Sequence, residues 1–134
     1  AARSFGEGQS VRGISMQMRC NDTVFVIADG DDDFEVTVPF PESLSHGWTN
    51  VTVSLLRSER KLLFYNDFEL SAEYDIEARY LGALCDKPFV FGDNSEKTYN
   101  RKTNPSTFFA DDFFIINGAL TKGDLNALKK YYGL

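Results

Sequence analysis

The sequence predicts an all-β domain, a sandwich or a barrel, and three observations lead to this prediction. Aromatic residues are frequent, with twelve Phe, six Tyr and one Trp, and Phe and Tyr favour the pleated, half-buried surface of a sheet. Apolar and polar residues alternate in short runs, and turn residues separate these runs every roughly 8–12 residues. A length of 134 residues suits one domain with its own core, so we predict a single domain over residues 1–134.

The first half of the chain predicts four strands. Strict alternation over residues 11–19 predicts the first strand, and the apolar run over residues 24–28 predicts a second strand that forms a hairpin with it. Residues 34–38 alternate again and predict a third strand, which two prolines end. The fourth predicted strand covers residues 48–55.

The second half predicts the remaining strands and one helix. The predicted strands cover residues 61–65, 68–76, 89–91 and 108–117, and residues 77–86 are predicted as a loop. Thr121 has the position and side chain of a helix N-cap. After it, Leu125, Leu128 and Tyr132 are spaced to lie on one face of a short terminal helix.

The charge balance disfavours several classes of partner. Fourteen basic residues stand against twenty acidic ones, which gives a net charge of −6 at pH 7. An acidic surface repels phosphate groups, so we expect neither nucleic acid nor an anionic membrane as a partner. No apolar run approaches the about 20 residues that span a bilayer, so we expect no membrane insertion. The chain opens without an apolar signal segment, and we expect it to be a mature or excised piece of a larger protein.

Two cysteines and two tripeptides bear on the compartment. Cys20 and Cys85 are compatible with one disulfide, which suits an oxidising compartment, and equally with two reduced thiols, because two cysteines carry no spacing signature. Residues 21–23 and 50–52 both match the pattern N-x-[ST]. They are acceptors of N-linked glycan if the protein is a secreted eukaryotic one.

Four segments resemble laminin G-like, concanavalin A-like domains, and they occur in the order of that family. Residues 111–121 (DDFFIINGALT) resemble its closing strand and the capped helix that follows. Residues 47–53 (GWTNVTV) resemble its central Trp strand, residues 62–67 (LLFYND) a hairpin, and residues 88–92 (PFVFG) a later strand. The resemblance implies a concanavalin A-like jelly-roll sandwich of two sheets with a short C-terminal helix. It also implies that the side chain of Trp48 lies in the core, because the matching Trp of the family begins an inner strand.

The resemblance also implies a function. Such domains are mostly non-catalytic binding modules of secreted or cell-surface proteins, and we expect glycan recognition of the lectin type. The alternative is a protein-interaction or adhesive module. Family members usually open with strands that pair beside the closing strand, and no such strand precedes Ala1. We therefore expect that a second chain or neighbouring domain completes the sheet.

Calcium is the cofactor that the acidic residues suggest. Asp29, Asp31 and Asp33 alternate in a turn and supply the hard oxygen ligands that calcium prefers. Relatives often hold calcium through loop carboxylates, so the resemblance adds Asp111, or its neighbour Asp112, as a further candidate. The alternative is a charged, solvated turn whose carboxylates accept hydrogen bonds from the backbone.

A glycan site in such a fold needs an aromatic platform and planar hydrogen-bonding side chains. The longest polar loop, residues 93–104, offers both. The candidate ligand-binding residues there are Asn94, Tyr99, Asn100, Arg101 and Asn104. Tyr80 is a further candidate platform from a shorter predicted loop.

The sequence does not predict an enzyme. Carboxylates alternate over residues 31–35, but the leading Glu of the paired-carboxylate motif of related glycoside hydrolases is missing. His46 is the only histidine, and no nucleophile elbow or zinc-binding pattern is present.

Overall fold

The computed structural model describes residues 12–18, 22–39, 48–82 and 114–134, with the side chains of residues 17 and 18 excepted. These residues form two antiparallel three-stranded sheets and one α-helix, which confirms the prediction of a mostly β fold. The strands are β1 (Arg12–Met18), β2 (Asp22–Asp29), β3 (Asp33–Pro39), β4 (Val51–Leu56), β5 (Lys61–Asn66) and β6 (Glu69–Asp75). A 3₁₀ helix spans Ala78–Gly82, and helix α1 spans Lys122–Tyr132.

The two sheets share one core. In the first sheet, ordered β1-β2-β3, Phe25 lies opposite Val36, so both side chains point to the same face. In the second sheet, ordered β4-β5-β6, Phe64 lies opposite Val53. The rings of Phe25 and Phe64 meet edge to face, with centroids 5.7 Å apart and planes at 83°. The apolar faces of the sheets therefore pack against each other as in a sandwich.

Helix α1 covers the other face of β5. Its buried residue Leu125 packs with Leu63, Tyr65 and Phe68. Both faces of β5 are therefore covered, which explains why Leu62–Asn66 are all buried. No helix among the described residues is long and apolar enough to cross a membrane.

The ends of α1 follow the capping rules that the sequence indicates. Thr121 and Asp124 form a capping box, in which each side chain accepts a hydrogen bond from the backbone of the other residue. The hydrogen bonds from Thr121 lower the pKa of the Asp124 carboxyl. Gly133 adopts the left-handed conformation, with φ of 71°, and ends the helix. The predicted terminal helix is confirmed.

Three expectations about individual elements are wrong. Trp48 is not in the core: its exposed fraction is 70%, and the strand begins three residues later at Val51. The predicted loop over residues 77–86 contains the 3₁₀ helix, whose Tyr80 is buried against Phe34 at a centroid distance of 5.8 Å. In the predicted closing strand, residues 114–116 form no strand and are exposed, while residues 108–113 lie outside the described residues. The predicted strand over residues 89–91 also lies outside them.

Thr23 offers a test of the first sheet. It lies on β2 at 2% exposure, and its hydroxyl makes no hydrogen bond within the described part of the chain. Because a buried unpaired hydroxyl costs free energy, Thr23→Val is expected to raise the free energy of unfolding by about 1 kcal/mol. Urea denaturation measures this change. The control is Thr37→Val at an exposed position of β3, and a clear loss of stability in Thr23→Val would contradict the prediction.

Candidate ligand-binding surface

The acidic turn between β2 and β3 is held together by Asp29. Its Oδ1 accepts hydrogen bonds from the backbone N–H groups of Asp31, at 3.0 Å, and Asp32, at 2.9 Å. Its own N–H donates to the Asp32 carbonyl at 3.1 Å. A carboxylate that accepts backbone hydrogen bonds two and three residues ahead is an ordinary way of closing such a turn.

Arg79 binds the second oxygen of the Asp29 carboxylate. It donates from Nε to Asp29 Oδ2 at 2.7 Å, and its Nη2 lies 3.3 Å from Asp32 Oδ2. The guanidinium also lies 4.9 Å from the ring centroid of Tyr80. Arg79 thus ties the turn of the first sheet to the 3₁₀ helix that follows the second sheet.

These contacts bear on the expected calcium ligands. Both oxygens of Asp29 are engaged within the protein, and Asp31 is exposed. Among the described residues, no three His, Cys, Asp or Glu side chains are placed to hold a metal ion. Asp111 lies outside the described residues. Calcium binding by Asp29, Asp31 and Asp33 stays a prediction.

The stability of this turn is expected to depend on pH. Hydrogen bonds from the backbone of Asp31 and Asp32, and then Arg79, hold the pKa of the Asp29 carboxyl below its ordinary value of 3.8. A group with a lowered pKa in the folded state stabilises the fold above its unfolded pKa, and this contribution is lost as the pH falls through the lowered value. The stability difference between the natural chain and Asp29→Asn is therefore expected to shrink in acid. Urea midpoints from neutral pH to well below 3.8 measure it.

The matched control for this titration is Asp31→Asn, because Asp31 is an exposed residue of the same turn. This change removes a carboxylate from the turn and leaves the contacts of Asp29 in place. A stability difference for Asp29→Asn that does not shrink in acid would contradict the assigned role of Asp29.

The five candidate residues of the predicted sugar-binding loop lie outside the described residues. They are Asn94, Tyr99, Asn100, Arg101 and Asn104. The further candidate Tyr80 is 5% exposed and belongs to the core. Its buried ring cannot serve as a stacking platform for a ligand in solvent.

The structure instead exposes an aromatic residue at the start of the second sheet. Trp48 is 70% exposed, although large aromatic side chains are highly buried on average. Thr49 and Asn50 follow it directly and lie beside the turn between β5 and β6. Asp67 in this turn accepts hydrogen bonds through Oδ1 from Thr49 Oγ1, at 3.0 Å, and from the Asn50 backbone N–H, at 2.9 Å. We call Trp48, Thr49, Asn50 and Asp67 the Trp48 surface.

Two polar atoms of the Trp48 surface are candidates for hydrogen bonds to a ligand. The Oδ1 atom of Asn50 accepts a hydrogen bond from Thr52 Oγ1 at 2.6 Å, so the amide presents its Nδ2 donor. Asp67 uses Oδ1 for its two bonds, so the carboxylate presents Oδ2 as an acceptor. Neither Nδ2 nor Oδ2 makes a hydrogen bond to the residues that the structure describes. The surface thus combines an apolar ring with one donor and one acceptor.

The backbone holds these atoms in place. Asp67 and Phe68 both have positive φ, at 49° and 63°, as the two central residues of a tight hairpin turn require. Asp tolerates this conformation, but a bulky residue adopts it only when its surroundings impose it. Phe68 is buried, and its ring stacks on Tyr132 of α1 at 5.8 Å and 17°. Helix packing therefore fixes the turn that carries Asp67.

The charge next to this turn is balanced. Glu69 follows Phe68 at the start of β6 and forms an ion pair with Lys129 of α1. The hydrogen bond from Lys129 lowers the pKa of the Glu69 carboxyl. Lys129 is therefore already partnered and does not offset the charge of Asp67.

A second exposed region is apolar. Ile14 and Met16 of β1 lie opposite Ile27 and Phe25, on the face that forms the core, yet they are 55% and 41% exposed. Residues 114–116 (FII) are 59–73% exposed. Three consecutive exposed apolar residues are unusual on a soluble surface and mark a site of contact with something else.

Comparison with known proteins identifies no family. No protein-family model matches the chain, and no curated protein matches it at a significant level. It is similar to a solved fragment, residues 221–444, of an S-layer domain-containing protein from Clostridium thermocellum, with 16% identity and a TM-score of 0.43. The match covers 96% of this chain and 65% of that one. At this level of similarity, no property of that protein is transferred to this chain.

Proposed function

We propose that the chain is a non-catalytic binding module of a secreted or cell-surface protein, and that it recognises glycan. The observation that carries the proposal is the exposed indole of Trp48, which directly precedes two residues, Thr49 and Asn50, that donate hydrogen bonds to Asp67. Ligand sites combine an apolar contact area with a few well-placed polar groups, and this arrangement suits a sugar ring with its hydroxyl groups.

We further propose that the fold is a concanavalin A-like jelly roll of the laminin G-like type. Its support is the order of the four segments that resemble the family, together with two packed antiparallel sheets and the capped terminal helix. One expected detail changes, because Trp48 leaves the core and becomes the candidate platform. The proposed site therefore differs from the loop that the sequence favours.

The proposal is tested through the fluorescence of Trp48, which is the only tryptophan in the chain. Titration with a panel of neutral oligosaccharides is expected to shift its emission for at least one sugar, because stacking changes the surroundings of the indole. Saturation-transfer NMR then measures the same sugar with Trp48→Ala. Loss of a central aromatic contact is expected to weaken binding about tenfold or more.

The matched control is Tyr131→Ala, because Tyr131 is an aromatic residue of α1 that is 80% exposed and lies outside the Trp48 surface. Its affinity for the sugar is expected to stay unchanged. The proposal fails if no sugar shifts the emission, or if Tyr131→Ala loses binding as strongly as Trp48→Ala.

A protein-interaction or adhesive module is the second candidate function. The observation that favours it is the exposure of apolar side chains at Ile14 and Met16 of β1 and at residues 114–116. Edge strands and exposed apolar segments are common sites of contact with a second chain or domain. If the titrations show no sugar bound through Trp48, that result favours the protein-interaction function over glycan recognition.

A further inference from the structure

We propose that Asn117 is a site of spontaneous deamidation, in which the backbone of the chain itself converts the asparagine into isoaspartate and aspartate. The reaction needs water and no other co-reactant. The proposal is independent of glycan recognition. It rests on the sequence Asn117-Gly118, on the exposure of both residues, and on the irregular backbone that carries them between the exposed residues 114–116 and α1.

The reaction is an attack of a backbone nitrogen on the side chain of the preceding residue. The Gly118 amide loses its proton to base, and its nitrogen forms a bond to Asn117 Cγ. The bond between Cγ and Nδ2 breaks, and Nδ2 takes up a proton and leaves as ammonia, so that a five-membered cyclic imide remains. Water then opens the ring at either carbonyl carbon, which gives isoaspartate or aspartate. Because both groups belong to adjacent residues, the step is intramolecular and gains the rate advantage of proximity.

Gly118 offers an unshielded nitrogen. Apart from its chain neighbours, none of the described residues lies within 4 Å of the position that a Cβ would take at Gly118. Its φ of 154° is a conformation that residues with a Cβ rarely adopt. The turn therefore favours glycine after Asn117, and the absence of a side chain at Gly118 leaves its nitrogen open to the attack.

The surrounding structure restrains the two reacting groups only weakly. The Asn117 side chain is exposed and makes no hydrogen bond to the part of the chain that the structure describes. The Gly118 N–H donates to the Ile116 carbonyl at 3.1 Å, which is a bond between residues only two apart in an exposed turn. Neither residue belongs to a strand or a helix. Exposed irregular segments open at almost no cost in free energy, so this bond does not prevent the attack.

The other asparagines among the described residues lack this combination. Asn50 precedes Val51, whose branched side chain hinders approach to the nitrogen. Asn66 is 8% exposed, and the amide that follows it donates to the Asn50 carbonyl at 2.9 Å. Asn126 is exposed but lies within α1, where helical hydrogen bonding holds the next amide. We therefore expect Asn117 to react first of the four.

The reaction changes the surface next to the exposed apolar residues. Either product carries a carboxylate in place of a neutral amide, directly after Ile115 and Ile116, which are 73% and 59% exposed. An apolar contact through residues 114–116 would then have to desolvate a charge, which costs free energy. Deamidation therefore makes such a contact less favourable.

The test incubates the full chain at neutral and at mildly alkaline pH and follows it by intact mass and peptide mapping. The peptide that contains Asn117 is expected to gain about 1 Da, and methylation by protein isoaspartate methyltransferase measures the isoaspartate in it. The rate is expected to rise with pH, because the attacking nitrogen must lose its proton. Asn126 is the internal reference and is expected to react at least about tenfold more slowly, because the helix holds its reacting groups apart.

Two variants test the mechanism. Gly118→Ala keeps Asn117 but places a methyl group beside the attacking nitrogen, so deamidation is expected to slow about tenfold or more. Asn117→Gln keeps a side-chain amide but requires a six-membered ring, so this position is expected to stay unmodified. Circular dichroism before the incubation checks that both variants are folded.

A synthetic peptide with the sequence of residues 114–120 is the reference for an unprotected Asn-Gly pair. The folded chain is expected to deamidate at a rate within about tenfold of that of the peptide. A chain that stays intact while the peptide converts overturns the proposal, because the turn then protects the Gly118 amide. Equal rates at Asn117 and Asn126, or an unchanged rate in Gly118→Ala, also overturn it. The proposed function is tested separately, because sugar binding is measured through Trp48.

Discussion

Replacing Phe64 with Ala is expected to lower the free energy of unfolding by about 3–5 kcal/mol. Phe64 is 2% exposed and joins the two sheets, with its ring 5.7 Å from that of Phe25 and 5.9 Å from that of Tyr74. The substitution removes buried apolar surface and leaves a cavity that strands on both sides can only partly fill. Urea denaturation, monitored by far-ultraviolet circular dichroism, measures the change.

The control for this prediction is Ile115→Ala, which removes a side chain that is 73% exposed. Its effect is expected to stay within about 0.5 kcal/mol, since substitutions away from packed sites change stability little. A cost for Phe64→Ala close to that of Ile115→Ala would contradict the shared core of the two sheets. A large cost for Ile115→Ala would show that residues 114–116 are packed in solution.

Much of the fold could be predicted because its signals are local. The apolar run over residues 24–28 marks β2, and the turn that begins at Asp29 ends it. The helix is marked equally clearly, since Thr121 and Asp124 are three residues apart and cap it through their own side chains. Strand and helix periodicity, capping and turn chemistry all act over a few residues, so they can be recognised in the sequence itself.

The errors arise where tertiary placement decides the outcome. Trp48 matches a core residue of the resembled family, but the strand begins after it and leaves the ring in solvent. Tyr80 follows no strand pattern, yet the 3₁₀ helix turns it into the core beside Phe34. Local sequence contains little information on whether an aromatic side chain at the end of an element points inward or outward. Each of these two residues was therefore assigned to the wrong environment.

The candidate site depends on long-range contacts, which the sequence did not indicate. Residues 62–67 resemble a hairpin, but the partners of Asp67 are 17 and 18 residues away. The contact between Arg79 and Asp29 crosses 50 residues. The positive φ at Phe68 cannot be recognised in the local sequence, because it accompanies the stacking of the Phe68 ring on Tyr132, which is distant in the chain. Only the folded chain joins Asn50 to Asp67 by a hydrogen bond.

Replacing Leu125 with Ala is expected to cost about 2–4 kcal/mol and to loosen α1 from the second sheet. Leu125 is the buried residue of this helix, at 7% exposure, and packs with Leu63, Tyr65 and Phe68. An 11-residue helix is too short to be stable alone, so its packing face holds it in place. Urea denaturation measures the stability, and hydrogen exchange of the helix amides measures local opening.

The control for this substitution is Asn126→Ala, at the adjacent exposed position of α1. Because Ala favours a helix at least as well as Asn does, this change is expected to be neutral or slightly stabilising. The two variants also predict different ionisation of Tyr65, whose pKa is raised chiefly by burial. Leu125→Ala is expected to return that pKa toward its ordinary value, whereas Asn126→Ala leaves it raised. Equal stability and equal Tyr65 titration in the two variants would mean that α1 does not cover β5, and that the support for the turn carrying Asp67 lies elsewhere.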